Sequence, residues 1–288
     1  MKFGIMAPYQ LAPVDDGAYV AGFARLAEEM GFESIWVVDH VVMCPDYESK
    51  YPYDPSGRSP MATAAVQPDP LIWLTWAAAA TREIRLATGI LILPQRNPVV
   101  LAKELASLDA LSGGRLQLGI GVGWVREEAV AVGVDFENRG RRTDEYIEAM
   151  RALWREELAT FKGEYVQFDR VASNPKPAGP GGVPILIGGH SRVAARRAGR
   201  LGDGFYPLGV QGEEFASLLS LMAQTAREAG RDPDAIEITC TGGFSRENAE
   251  SWAGLGADRM LVSPRTGDLA KLRPLLEKFR EEVIEPLG

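Results

Sequence analysis

The sequence predicts a (β/α)8 barrel, in which eight parallel strands close into a cylinder and each strand is followed by a helix. Three observations predict it: short apolar runs alternate with helix-like runs along the whole chain, eight such pairs can be counted, and 288 residues suit this fold. An open doubly wound sheet is the alternative, but the short strands favour the closed form. We therefore expect residues 1–288 to form a single domain.

The predicted strands are short apolar runs bounded by glycine, proline or polar residues. Runs of this kind are typical of strands that are buried on both faces. In chain order the predicted strands are Lys2–Met6, Ser34–Val38, Arg85–Ile90, Leu116–Ile120, Pro184–Ile187, Gly204–Tyr206, Ile236–Thr241 and Arg259–Val262.

The predicted helices are the stretches after each strand in which apolar residues recur every three to four positions. In chain order they are Ala18–Met30, Pro70–Thr81, Val99–Leu111, Asp144–Leu158, Arg192–Leu201, Glu213–Ala229, Arg246–Leu255 and Asp268–Val283. Glycines such as Gly31, Gly113 and Gly230 stand where a chain leaves a helix through a left-handed residue, and they support these helix ends.

Three connections are longer than simple turns. They are residues 41–69 after the second strand, 121–143 after the fourth, and 159–183 before the fifth. The first two follow strand ends, so on a barrel they overhang the mouth, the rim formed by the carboxyl ends of the strands. Long loops there often act as lids and substrate walls. Tyr47, Tyr51 and Tyr53 predict an aromatic lid in the first.

The composition is that of an acidic globular protein. The net charge of −8 and the absence of a Lys/Arg cluster argue against nucleic acid as a partner. Cys44 and Cys240 lack the Cys-x-x-Cys spacing of zinc or redox sites, so free thiols are expected. The N-terminus does not resemble a secretory signal, and no apolar run is long enough to span a membrane. These features predict a cytoplasmic protein without a membrane partner.

The two histidines of the chain each follow an apolar strand directly. One lies in the pair Asp39-His40 and the other in Gly188-Gly189-His190-Ser191, so both are expected to face the mouth. Asp39-His40 could exchange a proton near neutral pH or donate a hydrogen bond to a cofactor. The alternative is structural, in which Asp39 caps the next segment and His40 packs in the lid.

The segment 188–191 also opens the predicted fifth helix. Backbone N–H groups at a glycine-started helix N-terminus form an anion site, and in barrels a phosphate often binds there. The alternative is that Ser191 is an ordinary N-cap.

Two other strands are interrupted by glycine. In Thr88-Gly89-Ile90 the glycine permits a bulge, or close approach of a planar ligand to the backbone. Around Gly121, the run Gly119-Ile-Gly-Val-Gly-Trp124 repeats the pattern and offers Trp124 as a substrate wall. Its glycine spacing does not match the dinucleotide-binding fingerprint.

Several chemistries lack the residues that they need. Metal-dependent barrel enzymes require several imidazoles or carboxylates at strand ends, and two histidines without a His-x-His pair predict no metal site. No strand ends in a lysine that could form a Schiff base. Neither a Gly-x-Ser-x-Gly elbow nor a phosphate-binding-loop lysine is present.

The runs Arg85–Lys103 and Leu108–Trp124 resemble the luciferase-like monooxygenase superfamily. Within it they are most similar to the branch of oxidoreductases that use the 5-deazaflavin coenzyme F420. Further matching segments, which extend the likeness over nearly the whole chain, are Arg139–Glu145, Pro175–Pro177, Pro184–Gly189 and Gly202–Phe205.

The resemblance implies a flavin or deazaflavin ring lying across the strand ends. It implies that Asp39 and His40 border the ring and take part in catalysis, that a cis peptide joins Gly89 and Ile90, and that residues 188–191 hold the cofactor phosphate. The residues assigned to the cofactor are Asp39, His40, Thr88, Gly89, Ile90, Gly121, Gly188, Gly189, His190 and Ser191. Those assigned to the substrate are Tyr47, Trp124 and Tyr206.

The function implied by the resemblance is hydride transfer between coenzyme F420 and a small organic substrate, with His40 exchanging a proton. The alternatives are a two-component monooxygenase that receives reduced FMN from a separate reductase, and a flavin-binding barrel without catalysis. The F420 reaction too would depend on a separate enzyme, an F420 reductase or dehydrogenase, to supply the coenzyme in its reduced or oxidised form. Sugar-phosphate-oxidising members carry a carboxylate where this chain has Trp124, which suggests a more apolar substrate.

A homodimer is also expected. The predicted helix Pro70–Ala80 is apolar nearly all round, which is more than one buried helix face requires. Burial of this helix beneath the long lid is the alternative.

Overall fold

The computed structural model describes residues 1–288 and contains eleven strands. They are β1 (Lys2–Met6), β2 (Ser34–Val37), β3 (Arg85–Thr88), β4 (Leu91–Ile92), β5 (Leu116–Gly121), β6 (Ala159–Lys162), β7 (Gln167–Val171), β8 (Ile185–Gly188), β9 (Gly204–Tyr206), β10 (Glu237–Gly242) and β11 (Arg259–Val262). All the predicted strands are present.

Nine of these strands form one parallel sheet in the order β3-β2-β1-β11-β10-β9-β8-β5-β4. The sheet closes on itself because β3 also pairs with β5, with Leu86 opposite Leu116. Strand β4 continues along β5 after β3, with Leu91 opposite Ile120. Strands β3 and β4 together therefore occupy one of the eight strand positions of the barrel. The result is an eight-membered (β/α)8 barrel, which confirms the predicted fold class.

The helices surround the barrel. They are α1 (Gly17–Glu29), α2 (Pro70–Ala80), α3 (Pro98–Ser112), α4 (Arg126–Ala131), α5 (Arg139–Arg155), α6 (Arg192–Leu201), α7 (Gly212–Glu228), α8 (Arg246–Gly254), α9 (Leu269–Phe279) and α10 (Glu285–Leu287). None of them combines the length and the hydrophobicity that a membrane span requires.

Helix α5 begins at Arg139, one turn earlier than the predicted Asp144. Its first buried residue is Thr143, so the preceding turn is helical without carrying an apolar signal. The turn Phe136–Asn138 leads directly into it and fixes the start.

The connection 159–183, in which no strand was predicted, contains the antiparallel hairpin β6–β7. Glu145 of α5 holds the hairpin turn, because its carboxylate accepts hydrogen bonds of 2.7–2.8 Å from the amides of Glu164, Tyr165 and Val166. The hairpin strands are largely exposed, so they lack the apolar runs by which the barrel strands were found.

A buried ion-pair network closes the amino-terminal end of the barrel. Arg259 is fully buried, donates to both carboxylate oxygens of Glu33 at 2.9 Å, and lies 2.7 Å from Glu237. Although burial opposes ionisation of Glu33, the Arg259 guanidinium lowers the pKa of that carboxyl below its usual value. The guanidinium carbon also lies 5.6 Å from the centre of the Trp36 ring. With this end filled, the mouth is the open end of the barrel.

Candidate active site

The two histidines lie at the same end of the barrel and are linked by aromatic side chains. The ring of Trp124 lies 6.2 Å from that of His40 and 5.2 Å from that of Tyr51. Tyr51 in turn lies 5.4 Å from Tyr53, whose ring is 5.0 Å from His190. The loops that follow β2 and β8 therefore face one mouth, with aromatic side chains between them.

Residues 41–69, which we call the lid, are fastened to the loop after β5. Tyr47 packs edge-on against Trp124 at 5.1 Å, and Arg58 lies over the Tyr47 ring at 5.0 Å. The carboxylate of Glu127 accepts hydrogen bonds from the amide of Glu48 and the hydroxyl of Ser49, at 2.7 and 3.0 Å. Trp124 is thus a wall of the mouth and also a contact surface for the lid.

The floor of the mouth is formed by Ile90, at the point where β3 gives way to β4. The peptide bond between Gly89 and Ile90 is cis, as the resemblance implies. A Cβ atom at Gly121 would lie 2.5 Å from Ile90 Cδ1, and one at Gly188 would lie 2.6 Å from Ile90 Cγ2. Only glycine at these two positions leaves room for the Ile90 side chain, which we call the Ile90 platform.

Thr88 supports the platform from the side. Its hydroxyl donates a 2.6 Å hydrogen bond to the carbonyl of Gly119 on β5. Because Thr88 is fully buried, its side chain fixes the strand just before the platform and does not reach into the mouth.

The platform rests on a small apolar cluster inside the barrel. Trp36, Leu186, Tyr206 and Leu261 are buried there, with Ile90 partly buried above them. Burial raises the pKa of Tyr206, whose hydroxyl lies 2.7 Å from that of Thr241 on β10. The structure therefore places Tyr206 in the core beneath the platform, and its role as a substrate contact stays a prediction.

Asp39 connects the end of β2 to β4 and to the turn that follows β4. It accepts a 2.9 Å hydrogen bond from the amide of Ile92 and another from Arg96. Burial raises the pKa of Asp39 more than these partners lower it. Arg96 also lies 2.9 Å from Asp69 at the end of the lid. Both oxygens of Asp39 are therefore engaged in positioning this edge of the mouth.

His40 is held by a carboxylate that the sequence did not indicate. Its Nδ1 lies 3.0 Å from Oε2 of Glu128, whose side chain is fully buried in α4. The other oxygen of Glu128 accepts hydrogen bonds from the amides of Val41 and Val42, at 2.7 and 3.4 Å. The His40 side chain is 16% exposed, so it remains accessible from the mouth.

The segment 188–191 leaves backbone donors unpaired. Gly189, at φ 111°, donates its amide to the carbonyl of Tyr206 at 3.1 Å. The amides of His190 and Ser191 have no acceptor within the protein. Ser191 caps α6 by accepting a 3.1 Å hydrogen bond from the amide of Ala194. The N-cap and the free donors thus occur together, and we call this segment the amide cradle.

Helix α6, which starts at the cradle, is strongly basic although the whole chain has a net charge of −8. It carries four arginines and no acidic residue. Arg197 and Arg200 both pair with Asp144 of α5. Arg192 and Arg196 are exposed and form no ion pair. The helix therefore offers two uncompensated positive charges within two turns of the cradle.

Several buried polar atoms around the mouth have no partner in the protein. They include the hydroxyl of Tyr9, Oε1 of Gln95 and Nδ1 of His190. Buried polar groups are normally paired, so unpaired ones near glycine-lined space fit a bound polar ring and an anion. No cluster of three or more His, Cys, Asp or Glu side chains is arranged to hold a metal ion.

Comparison with known proteins gives a family match over almost the full length. A family model described as luciferase-like monooxygenase matches residues 1–282. An F420-dependent glucose-6-phosphate dehydrogenase of Kineococcus radiotolerans is 34% identical over 226 residues, which cover 76% of this chain and 61% of that protein.

Two solved structures share the fold. A monooxygenase from Streptomyces bottropensis superposes with a TM-score of 0.78 at 23% identity, covering 100% of both chains. An F420-dependent secondary alcohol dehydrogenase in complex with an F420-acetone adduct gives a TM-score of 0.78 at 21% identity, covering 98% of both. At these identities the likeness shows the fold alone.

Proposed function

Because the chain belongs to the luciferase-like monooxygenase family, we propose that it transfers a hydride between coenzyme F420 and a small, largely apolar organic substrate. The observation that carries the proposal is the Ile90 platform, kept clear by Gly121 and Gly188 and flanked by His40 and the amide cradle. A planar heterocycle with a phosphate-bearing side chain fits this combination. When bound, the coenzyme supplies the ring carbon that accepts or releases the hydride.

The protein supplies position, a proton path and exclusion of water. The free amides of His190 and Ser191 bind the coenzyme phosphate, aided by the N-terminal end of α6. Ile90 supports the ring from below. His40 exchanges a proton through Nε2 with the substrate or the ring, since Nδ1 is engaged by Glu128. The aromatic lid shields the reacting atoms from bulk water.

Two observations favour F420 over FMN. Sequence relatives such as the Kineococcus radiotolerans enzyme are F420-dependent. In addition, F420 carries carboxylates beyond its phosphate, whereas FMN ends at the phosphate, and Arg192 and Arg196 provide unpaired positive charge next to the cradle. At about 0.7 kcal/mol for each such exposed contact, the two together favour the longer anion by roughly tenfold.

The test is an anaerobic titration of the purified chain with reduced F420 and with reduced FMN, followed by ring fluorescence. We expect saturable binding of F420, with a Kd roughly tenfold below that of FMN. We also expect the F420 affinity to weaken more steeply with added salt, because screening acts on the additional charges. Saturable binding of FMN alone would contradict the choice of cofactor.

A two-component monooxygenase is the second candidate, because the matching family model is described as luciferase-like monooxygenase. It would require a separate reductase to supply reduced FMN, as the F420 reaction would require a separate enzyme to regenerate the coenzyme. A barrel that only stores a flavin is less consistent with the lid that packs against Trp124, because a lid has little use without a substrate to enclose.

The apolar substrate is proposed from the lining of the mouth. Trp124, Tyr47 and Tyr51 pack together on one side, and Ile90 forms the floor. Trp124 offers no charged group to a phosphate, so an uncharged substrate suits this wall better than a sugar phosphate.

We further propose that the protein is a homodimer formed through α2. Ile72 and Trp76, one turn apart on this helix, are 69% and 57% exposed, so the lid does not bury them. Val100 of the neighbouring α3 is 55% exposed. Exposed apolar side chains on neighbouring helices are typical of an interface between subunits.

Replacing Ile72 with glutamate is therefore expected to produce monomers. The charge would be buried without a partner in the dimer, which should raise its dissociation constant by at least about 100-fold. Leu255→Glu, at an exposed apolar residue beyond α8, is the control and should leave the mass of the dimer unchanged. Sedimentation velocity measures both. A monomeric wild-type chain at micromolar concentration would contradict the proposal.

A further inference from the structure

A single buried carboxylate connects His40 to the first residues of the lid. We propose that Glu128 is a positioning residue that fixes His40 in the tautomer with its proton on Nδ1, so that Nε2 presents a lone pair to the mouth. The catalytic consequence rests on the proposed function, whereas the tautomer is a property of the protein without any ligand.

The hydrogen-bond inventory of Glu128 determines the direction of the bond to His40. Its Oε1 accepts from the amides of Val41 and Val42, which can only donate. Oε1 therefore serves as the acceptor for two backbone donors, which is the role of a carboxylate oxygen. An ionised Oε2 can only accept, so Nδ1 of His40, 3.0 Å away, must carry the hydrogen.

Burial of the Glu128 carboxylate favours one tautomer of His40 over the other. The Glu128 side chain is fully buried, and His40 is its only ionic partner. A buried carboxylate with no lysine or arginine is costly unless every available donor is used, so a ring turned to offer a lone pair would be disfavoured.

The same carboxylate also couples the ring to the lid. Val41 and Val42 are the first two residues of the lid, and their amides share one oxygen of Glu128. Movement at the start of the lid would therefore shift the Glu128 carboxylate, which orients His40. Glu128 acts on the reaction through His40, and it does not face the mouth itself.

The test is nitrogen NMR of the imidazole rings in the ligand-free protein. Only two histidines are present, so His190→Asn assigns both ring systems. In the wild type we expect His40, when neutral, to be protonated on Nδ1 and unprotonated on Nε2. A ring protonated mainly on Nε2 would overturn the proposal, and this result needs no variant of Glu128.

Glu128→Gln is expected to invert the tautomer. The amides of Val41 and Val42 require an acceptor, so the glutamine oxygen should take the position of Oε1 and its NH2 group should face His40. That group donates, so Nδ1 must accept and the proton moves to Nε2. Turnover should then fall at least about tenfold, as expected for a general base held in the wrong tautomer, while coenzyme Kd stays unchanged.

Glu127→Gln is the matched control. Glu127 is the adjacent residue and holds the lid through Glu48 and Ser49, but it does not contact His40. Its replacement should leave the His40 tautomer unchanged. If both variants alter the His40 signals alike, or if Glu128→Gln leaves them unaltered, the specific role of Glu128 is refuted. Because the spectra need no coenzyme, this failure is distinguishable from failure of the proposed function.

Discussion

Replacing His40 with alanine should lower turnover by roughly 10²–10⁴-fold, the usual contribution of a positioned proton donor or acceptor. The ring is accessible from the mouth, and its Nε2 has no partner in the protein. It lies beside the Ile90 platform and not in the amide cradle, so coenzyme affinity should change little. Stopped-flow measurement of the ring absorbance gives the rate, and the fluorescence titration gives the Kd.

The other histidine provides the comparison for this variant. His190 belongs to the amide cradle, and its Nδ1 is buried without a protein partner. His190→Ala should therefore weaken coenzyme binding and leave the rate at saturating coenzyme nearly unchanged. An unchanged rate in His40→Ala would remove His40 from the mechanism, and a rate loss of similar size in both variants would show that neither effect is specific.

The barrel could be predicted because its strands are buried on both faces and therefore read as apolar runs. The sequence also indicates the break between β3 and β4, because Gly89 interrupts an apolar run and Ile90 follows directly. The hairpin β6–β7 could not be found in the same way, because its strands are mostly exposed and show no apolar pattern.

Glu128 illustrates what a single sequence cannot show. It lies on α4, a helix of six residues, which is too short for a periodic signal. Its contact with His40 joins residues 88 positions apart and depends on how the loop after β5 packs against the lid. An acidic residue near Trp124 is visible in the sequence, but nothing local distinguishes Glu128 from its neighbour Glu127.

Asp39 shows the converse case, in which a residue was noticed but its surroundings were not. A carboxylate beside a histidine at a strand end suggests shared proton chemistry. In the structure its oxygens are engaged by Arg96 and the amide of Ile92. These partners lie more than fifty positions away, so the positioning role of Asp39 depends on barrel closure, and its contact with the coenzyme stays a prediction.

Replacing Gly188 with alanine should abolish most coenzyme binding. The new Cβ would lie 2.6 Å from Cγ2 of Ile90 and 3.1 Å from the carbonyl oxygen of Ile120. The carbonyl belongs to the barrel and cannot move freely, so Ile90 must be displaced. We expect the Kd to rise at least about tenfold and the free energy of unfolding to fall by roughly 1–3 kcal/mol. Titration and denaturant unfolding measure the two effects.

An added methyl group should weaken coenzyme binding to different extents at different glycines of the mouth. At Gly121 the nearest atom to a new Cβ is the flexible end of Ile90, Cδ1 at 2.5 Å, so Gly121→Ala should have a smaller effect. At Gly243, on the rim after β10, a Cβ would meet nothing within 4 Å, so Gly243→Ala is the neutral control. Equal losses in all three variants would show that the Ile90 platform is not the feature being tested.

A second substitution in Ile90 separates displacement of the platform from general damage to the barrel. Ile90→Val removes Cδ1 and keeps Cγ2, so it should restore part of the coenzyme affinity lost in Gly121→Ala and none of that lost in Gly188→Ala. The difference follows from which Ile90 atom each new methyl group meets. If Ile90→Val rescues both variants or neither, contact with Ile90 is not the cause of the lost affinity, and the coenzyme ring does not rest on this side chain.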